Sequence, residues 1–179
     1  MSDYIFENEN WGGAKCSLTK DGVLTINTDG GNVVADNSNY APWKDNSVDV
    51  SKITKVDIKG LVGFNKGAEL TGLFYGFNNC ELFNGLTNLD VSEVTDMDSL
   101  FYMTIANKKL VKLNVSNWNA TKVINLSSMF CRCSGLTELD LSNWNIAIVQ
   151  SMFNMFESCT NLKTIKLNNI TINNYLGLD

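Results

Sequence analysis

The chain has 179 residues, 44% of them hydrophobic, and carries 14 Lys and Arg against 19 Asp and Glu for a net charge of -5. That length suffices for one self-sufficient core, and the acidic balance, with no basic run longer than Lys108-Lys109, argues against a nucleic-acid grip or a polybasic membrane anchor. There is no histidine, which excludes Ser-His and Cys-His catalytic pairs, and no 18-residue apolar run suited to membrane insertion.

In chain order, the opening MSDYIFENENWGG places acidic residues and asparagines where a secretory signal needs a basic and then an apolar segment. A cytoplasmic location, or a mature or excised domain, is the expectation that follows. KCSLTKDGVLTIN, from Lys15, reads as two strands around a hairpin turn at Asp21-Gly22. NVVA and KVDIKGLVGF read as further strands, separated by the loop-like DNSNYAPWKDNS. Residues 1–60 are accordingly expected to form a β-rich N-terminal cap and residues 61–179 about four repeats, the last a half repeat, within a single structural domain.

The repeats are visible directly. LVKLNVSNWNATKVINLSSMFCRCSGL, from Leu110, superimposes on LTELDLSNWNIAIVQSMFNMFESCTNL, from Leu136, with Leu113/Leu139, Val115/Leu141, Asn117/Asn143, Trp118/Trp144, Phe130/Phe156 and Cys133/Cys159 in register. Looser copies lie upstream at LDVSEVTDMDSLF and ELTGLFYGF, and a half copy follows at Leu162, Ile165, Leu167, Asn169 and Ile170. Within each unit LTELDLS alternates apolar and polar residues as a half-buried strand does. Leu126, Met129, Phe130 and Cys133 fall at i, i+3, i+4 and i+7, the stripe of a short helix. One strand and one short helix per 26–29 residues predicts an α+β repeat, a leucine-rich-repeat solenoid of stacked parallel strands beneath an N-terminal β-rich cap.

The units NVSNWNATKVINLSSMFCRCSGLTEL and LDVSEVTDMDSLF resemble the BspA-type leucine-rich repeats of bacterial surface proteins. The shared pattern is a Leu-x-Leu-Ser-Asn-aromatic strand end, then Val, Met-x-x-Met-Phe, Cys and Leu. It covers roughly residues 61 to 172. The resemblance implies a non-catalytic adhesion or protein-binding module, on the cell surface or secreted, with no catalytic residues and no cofactor to carry over.

Candidate chemistry is weighed against that periodicity. A metal site at Cys131-x-Cys133 lacks two further ligands of suitable spacing. Cys133 and Cys159, equivalent in successive units, are expected as a buried thiol ladder, or as a disulfide if the protein is extracellular, whereas Cys131 is expected near the surface. Trp118 and Trp144 beside Asn117, Asn143 and Asn169 have the composition of a sugar platform, but their recurrence in register favours a corner tryptophan in the core and an asparagine ladder satisfying turn backbone. Met97, Met129, Met152 and Met155 with Phe101, Phe130 and Phe156 read as core. No hydrolase elbow or phosphate loop occurs, so the chain is expected not to be an enzyme.

The outward strand face remains. Stacking the units places Lys112, Glu138 and Thr164 in one row, Asn114, Asp140 and Lys166 in the next, and Ser116, Ser142 and Asn168 in a third. Lys112, Asn114, Glu138, Asp140 and Lys166 are therefore the nominated contacts for a protein, or alternatively a glycan, partner. A different reading is a small acidic intracellular inhibitor or immunity protein that blocks a basic enzyme such as a nuclease. Self-association through the C-terminal coil is a third.

Overall fold

A computed structural model of the chain describes residues 2–35, 41–167 and 170–173; the expectations for Asn168 and Asn169 lie outside the described residues. The first three strands are an antiparallel meander, β1 (Tyr4–Trp11), β2 (Ala14–Thr19) and β3 (Val23–Asn27). The β2–β3 turn is the expected hairpin at Asp21-Gly22. Gly22 has φ +90°, and a Cβ there would lie 2.2 Å from the Lys52 carbonyl oxygen, so the turn demands glycine twice over.

Coiling begins at β3, which serves both the meander and the solenoid. A second row starts at β4 (Val33–Ala35). The first row continues in parallel from β3 to β5 (Lys55–Lys59), and the second from β4 to β6 (Val62–Phe64). A third row starts at β7 (Ala68–Glu69). One coil later the three rows recur as β8 (Leu82–Asn84), β9 (Leu89–Asp90) and β10 (Val94–Asp96). The third row then persists as single bridges, Asp96 to Asn125 to Ser151. The first row reappears as β11 (Glu138–Leu141) and β12 (Thr164–Leu167), and β13 (Ile170–Asn173) turns back antiparallel on β12. The result is a mostly-β solenoid of about five turns with few helices.

The expected short helix is not formed. Helical structure among the described residues is confined to single 3-10 turns such as Leu86–Asn88 and Ile146–Ile148. Residues 126–133 and their equivalents are instead tandem four-residue turns. The amides of Leu73, Leu100 and Met129 bond three residues back to Leu70, Met97 and Leu126, while alternate amides leave the coil. Met97, Ser99, Phe101 and Met103 donate to the carbonyls of Asn125, Ser127, Met129 and Cys131, and Leu126, Ser128, Phe130 and Arg132 donate to Ser151, Phe153, Met155 and Glu157. An α-helix would bond nearly all its amides internally and leave none for the neighbouring coil. The turns require left-handed backbone every fourth residue, supplied at Ser128 (φ 54°), Arg132 (φ 62°), Asn154 (φ 55°) and Ser158 (φ 58°). Each such L-residue costs about 1 kcal/mol or more, and the inter-coil bonds offset that cost.

The stripe is nevertheless buried as predicted, because a four-residue turn and a 3.6-residue helix both bring positions i, i+3, i+4 and i+7 to one side. Leu126, Met129, Phe130 and Cys133 are inaccessible to solvent. Phe74, Phe101, Phe130 and Phe156 form a stacked column with centroids 5.4, 5.8 and 5.8 Å apart. Met152 departs from the core expectation: it is 41% exposed, beside Phe153 at 72%, on the outer face of the last turn segment. At the other end Trp43 stacks on Phe74 and donates its indole N–H to the Leu73 carbonyl at 2.7 Å, while the Lys44 Nζ donates to the Thr71 carbonyl at 2.9 Å. Side-chain donors thus stand where a preceding coil would have placed backbone amides.

All five cysteines are free and buried. Cys133 and Cys159 donate their thiols to the carbonyls of Phe101 and Phe130, one coil back, at 3.2 and 3.0 Å. Cys131 is also buried, against the expectation of a surface position, with Tyr102 and Glu157 of the flanking coils near enough to act on its thiol. Burial raises the pKa of Cys16, Cys80 and Cys159 to about 12 and that of Cys133 well above the thiol range.

The first strand row is interrupted between β8 and β11. The intervening stretch keeps a strand's burial alternation over 112–116 but forms no ladder; on the third row Asp96 and Asn125 are 29 residues apart, whereas Asn125 and Ser151 are 26 apart. Side chains bridge the gap, chiefly the fully buried Asn107. Its amide nitrogen donates to the carbonyls of Phe77 and Cys80, and its side-chain oxygen accepts from the amides of Lys109 and Leu110. Its carbonyl accepts from the amide of Gly135, where any Cβ would meet the Lys108 and Leu110 oxygens at 2.7 Å.

Asn107→Ala leaves buried carbonyls and amides without partners and should cost about 3 kcal/mol or more, and Asn107→Asp, which presents a second oxygen to the two carbonyls, should be no better; urea unfolding monitored by circular dichroism measures both. The thiols give a pH dependence. Their folded pKa values lie above their unfolded ones, so they leave stability unchanged below about pH 9 and lower it as pH rises towards 12, by about 1.4 kcal/mol per pH unit for each thiol that titrates only when unfolded. Unfolding midpoints across that range test this, and thiol reagent at neutral pH should modify the cysteines only after unfolding.

Candidate functional site

Four of the five nominated outward residues line one cavity, and Lys166 lies outside it. Lys112, Asn114 and Ser116 form one wall, and Thr137, Glu138 and Asp140 the other, of a shallow cavity of about 300 Å³ floored by Leu113. It lies over the ladder interruption. Burial alternation explains the placement: Leu113, Leu139 and Val115 point into the core, which turns Lys112, Asn114, Glu138 and Asp140 outward. Glu138 pairs with Thr164, and Asp140 with Lys166, in the β11–β12 register. The rows read from the sequence hold there.

The electrostatics are local. The Ser142 hydroxyl and amide bond Asp140 at 2.6 and 3.1 Å and hold its carboxyl below the usual range, with a smaller contribution from Lys166. Lys166 donates to Glu138 at 2.8 Å, which raises its pKa, and lies 3.8 Å from Asp140. Lys166, outside the cavity, thus offsets part of the negative charge of that wall. Lys112 is exposed on the opposite wall with no ion pair among the described residues. The side-chain oxygen of Asn114 is engaged by the Ser116 hydroxyl at 3.0 Å. These groups can bind polar and charged side chains through several contacts.

Trp118 and Trp144 are 1% exposed and stack on each other at 6.1 Å. Their indoles donate to the carbonyls of Leu86 and Val115 at 2.8 and 3.0 Å. Neither offers a face to a ligand. Asn143 donates to the Ser116 carbonyl at 2.7 Å and Asn88 to that of Ile58 at 2.8 Å, the inter-coil bonds the ladder requires. Asn117, in the interrupted coil, is exposed and makes no such bond among the described residues. Cys133 and Cys159 belong to the buried thiol column.

Thr137 was not singled out from sequence, although it precedes the strand that carries Glu138 and faces solvent. Asn107 was also missed: it occupies the position of Cys80, Cys133 and Cys159 in the other units, and asparagine in place of that cysteine is the available signal. No helix among the described residues is long and apolar enough to cross a membrane.

No curated protein and no solved structure matches the chain. Residues 68–175, more than half of the chain and nearly all of the repeats, match the family described as "Mycoplasma protein of unknown function, DUF285", and the chain belongs to that family.

Proposed function

We propose that the chain is a non-catalytic recognition module of the BspA-type leucine-rich-repeat kind, an adhesin-like part of a surface or secreted protein, that holds a protein partner on its outward strand face. The observation that carries this reading is the convergence of Lys112, Asn114, Glu138 and Asp140 around one open cavity. A solenoid offers such a face as a continuous platform on which several weak contacts add. Mixed charge on opposite walls suits a partner side chain of either sign and gives register more than raw affinity.

The acidic-inhibitor reading draws on the net charge of -5 and makes a different demand, steep loss of binding with salt. Binding of the protein to immobilised extracellular-matrix proteins discriminates. The double variant Lys112→Glu, Asp140→Lys should weaken capture about tenfold or more while leaving the thermal midpoint within a few degrees of the parent. Capture that is indifferent to the double variant, or confined to a basic intracellular enzyme and abolished by moderate salt, overturns the proposal.

A further inference from the structure

A second concave region lies at the front of the solenoid, away from the strand face. The segment that caps the first coil, Pro42–Lys44, continues into a loop that separates two cavities. One, of about 250 Å³, is bounded by Lys44, Asp45, Asn46 and Tyr75. The other, of about 370 Å³, is bounded by Phe6, Glu9, Asn10 and Ser47. Asp45 and Val48 line both, so the two cavities adjoin across this loop.

Tyr75 is the notable wall. It is 46% exposed, and one face of its ring stacks on Tyr102 at 5.1 Å with planes 10° apart. Tyr102 is covered in turn by the Arg132 guanidinium, 5.9 Å from its ring centre, and Arg132 is tied to the Thr104 carbonyl at 2.7 Å. The stack fixes the Tyr75 ring on one face, and Tyr75 lines the first cavity. Its hydroxyl has no partner among the described residues. A rigid, half-exposed aromatic face loses little entropy on binding.

The surrounding polar groups select the ligand. Asp45 is ordered by the Ser47 amide, which donates to it at 2.7 Å, and remains a carboxylate acceptor. Lys44 is anchored on Thr71 and keeps further donors. A cationic ligand would meet Lys44, and an anionic one would meet Asp45 and Glu9, so neither sign is favoured throughout. What fits an aromatic face flanked by a donor, an acceptor and an amide is an uncharged polyhydroxylated ring with one apolar C–H face. We propose that these adjoining cavities bind neutral oligosaccharides, with a pyranose stacked on Tyr75 and hydrogen-bonded by Asp45 and Asn46, and the next sugar extending past Asp45 towards the second cavity. This proposal is independent of the strand-face reading.

The test uses the full chain and defined probes: cello-, chito- and malto-oligosaccharides, and a sulfated and an aminated control, examined by saturation-transfer NMR at probe concentrations of about 5 mM. At least one neutral oligosaccharide should bind. Tyr75→Ala should then weaken it about tenfold or more, Tyr75→Phe should keep affinity within about threefold, and the Lys112→Glu, Asp140→Lys variant should leave it unchanged. Circular dichroism of each variant secures the fold. Absence of binding by every neutral probe, binding confined to the charged controls, or binding indifferent to Tyr75→Ala overturns the proposal.

Discussion

The passing of every second turn amide to the next coil is the interaction on which this architecture depends. Because Phe101 and Phe130 donate forward to Met129 and Met155, successive turn segments are locked in axial register, and like side chains must stack on like. The phenylalanine column, the thiol column and the paired tryptophans all follow from that constraint. A helix in the same place would pack by side-chain shape alone and could slide. Here the backbone fixes the spacing, and side chains fill the interior that results.

The same constraint explains the tolerance of the third coil. Its strand segment forms no ladder, yet the turn column runs through it unbroken: Met97, Ser99, Phe101 and Met103 all find acceptors. Extra residues can therefore be absorbed on the strand side as long as compensating side chains appear. Asn107 is the principal one, with Trp118 bonding Leu86 and Arg132 bonding Thr104 across the same junction. Stability at that level has moved from a repeated backbone pattern to a few irreplaceable side chains, as expected where cooperativity is nearest-neighbour.

Much of this was legible in the sequence, and the rest was hidden for identifiable reasons. The 26-residue register of Leu113 with Leu139 and of Trp118 with Trp144 sufficed to place core and outward face, and so to bring Lys112, Asn114, Glu138 and Asp140 together, although no strand forms at 112–116. The helix was misread because apolar spacing cannot separate a 3.6-residue turn from a four-residue one. The discriminating signal lay in the polar positions between. Gly72 and Gly76 occupy left-handed backbone four residues apart, and Ser128 with Arg132, and Asn154 with Ser158, repeat that interval. Cys131 escaped because its neighbours include Tyr102 and Glu157 of other coils, a relation that periodicity within one unit does not reveal. Asn107 escaped because it stands where the other units carry cysteine, and alignment rewards what recurs.

The cavities described among these residues lie where recurrence fails. A strict repeat lays down identical rungs and hence a nearly flat surface, with nothing to enclose a ligand. The strand-face cavity opens at the interruption between β8 and β11. The front cavities open where residues 42–48 leave the repeat to supply Trp43 and Lys44 as substitutes for a missing coil. In both places backbone that cannot continue the ladder stands away from its neighbour, and the gap is walled by side chains free to vary without disturbing the register behind them. Binding specificity in such a solenoid is therefore expected to change through insertions and end segments, while Phe74, Phe101, Phe130 and the turn amides remain fixed by the demands of stacking.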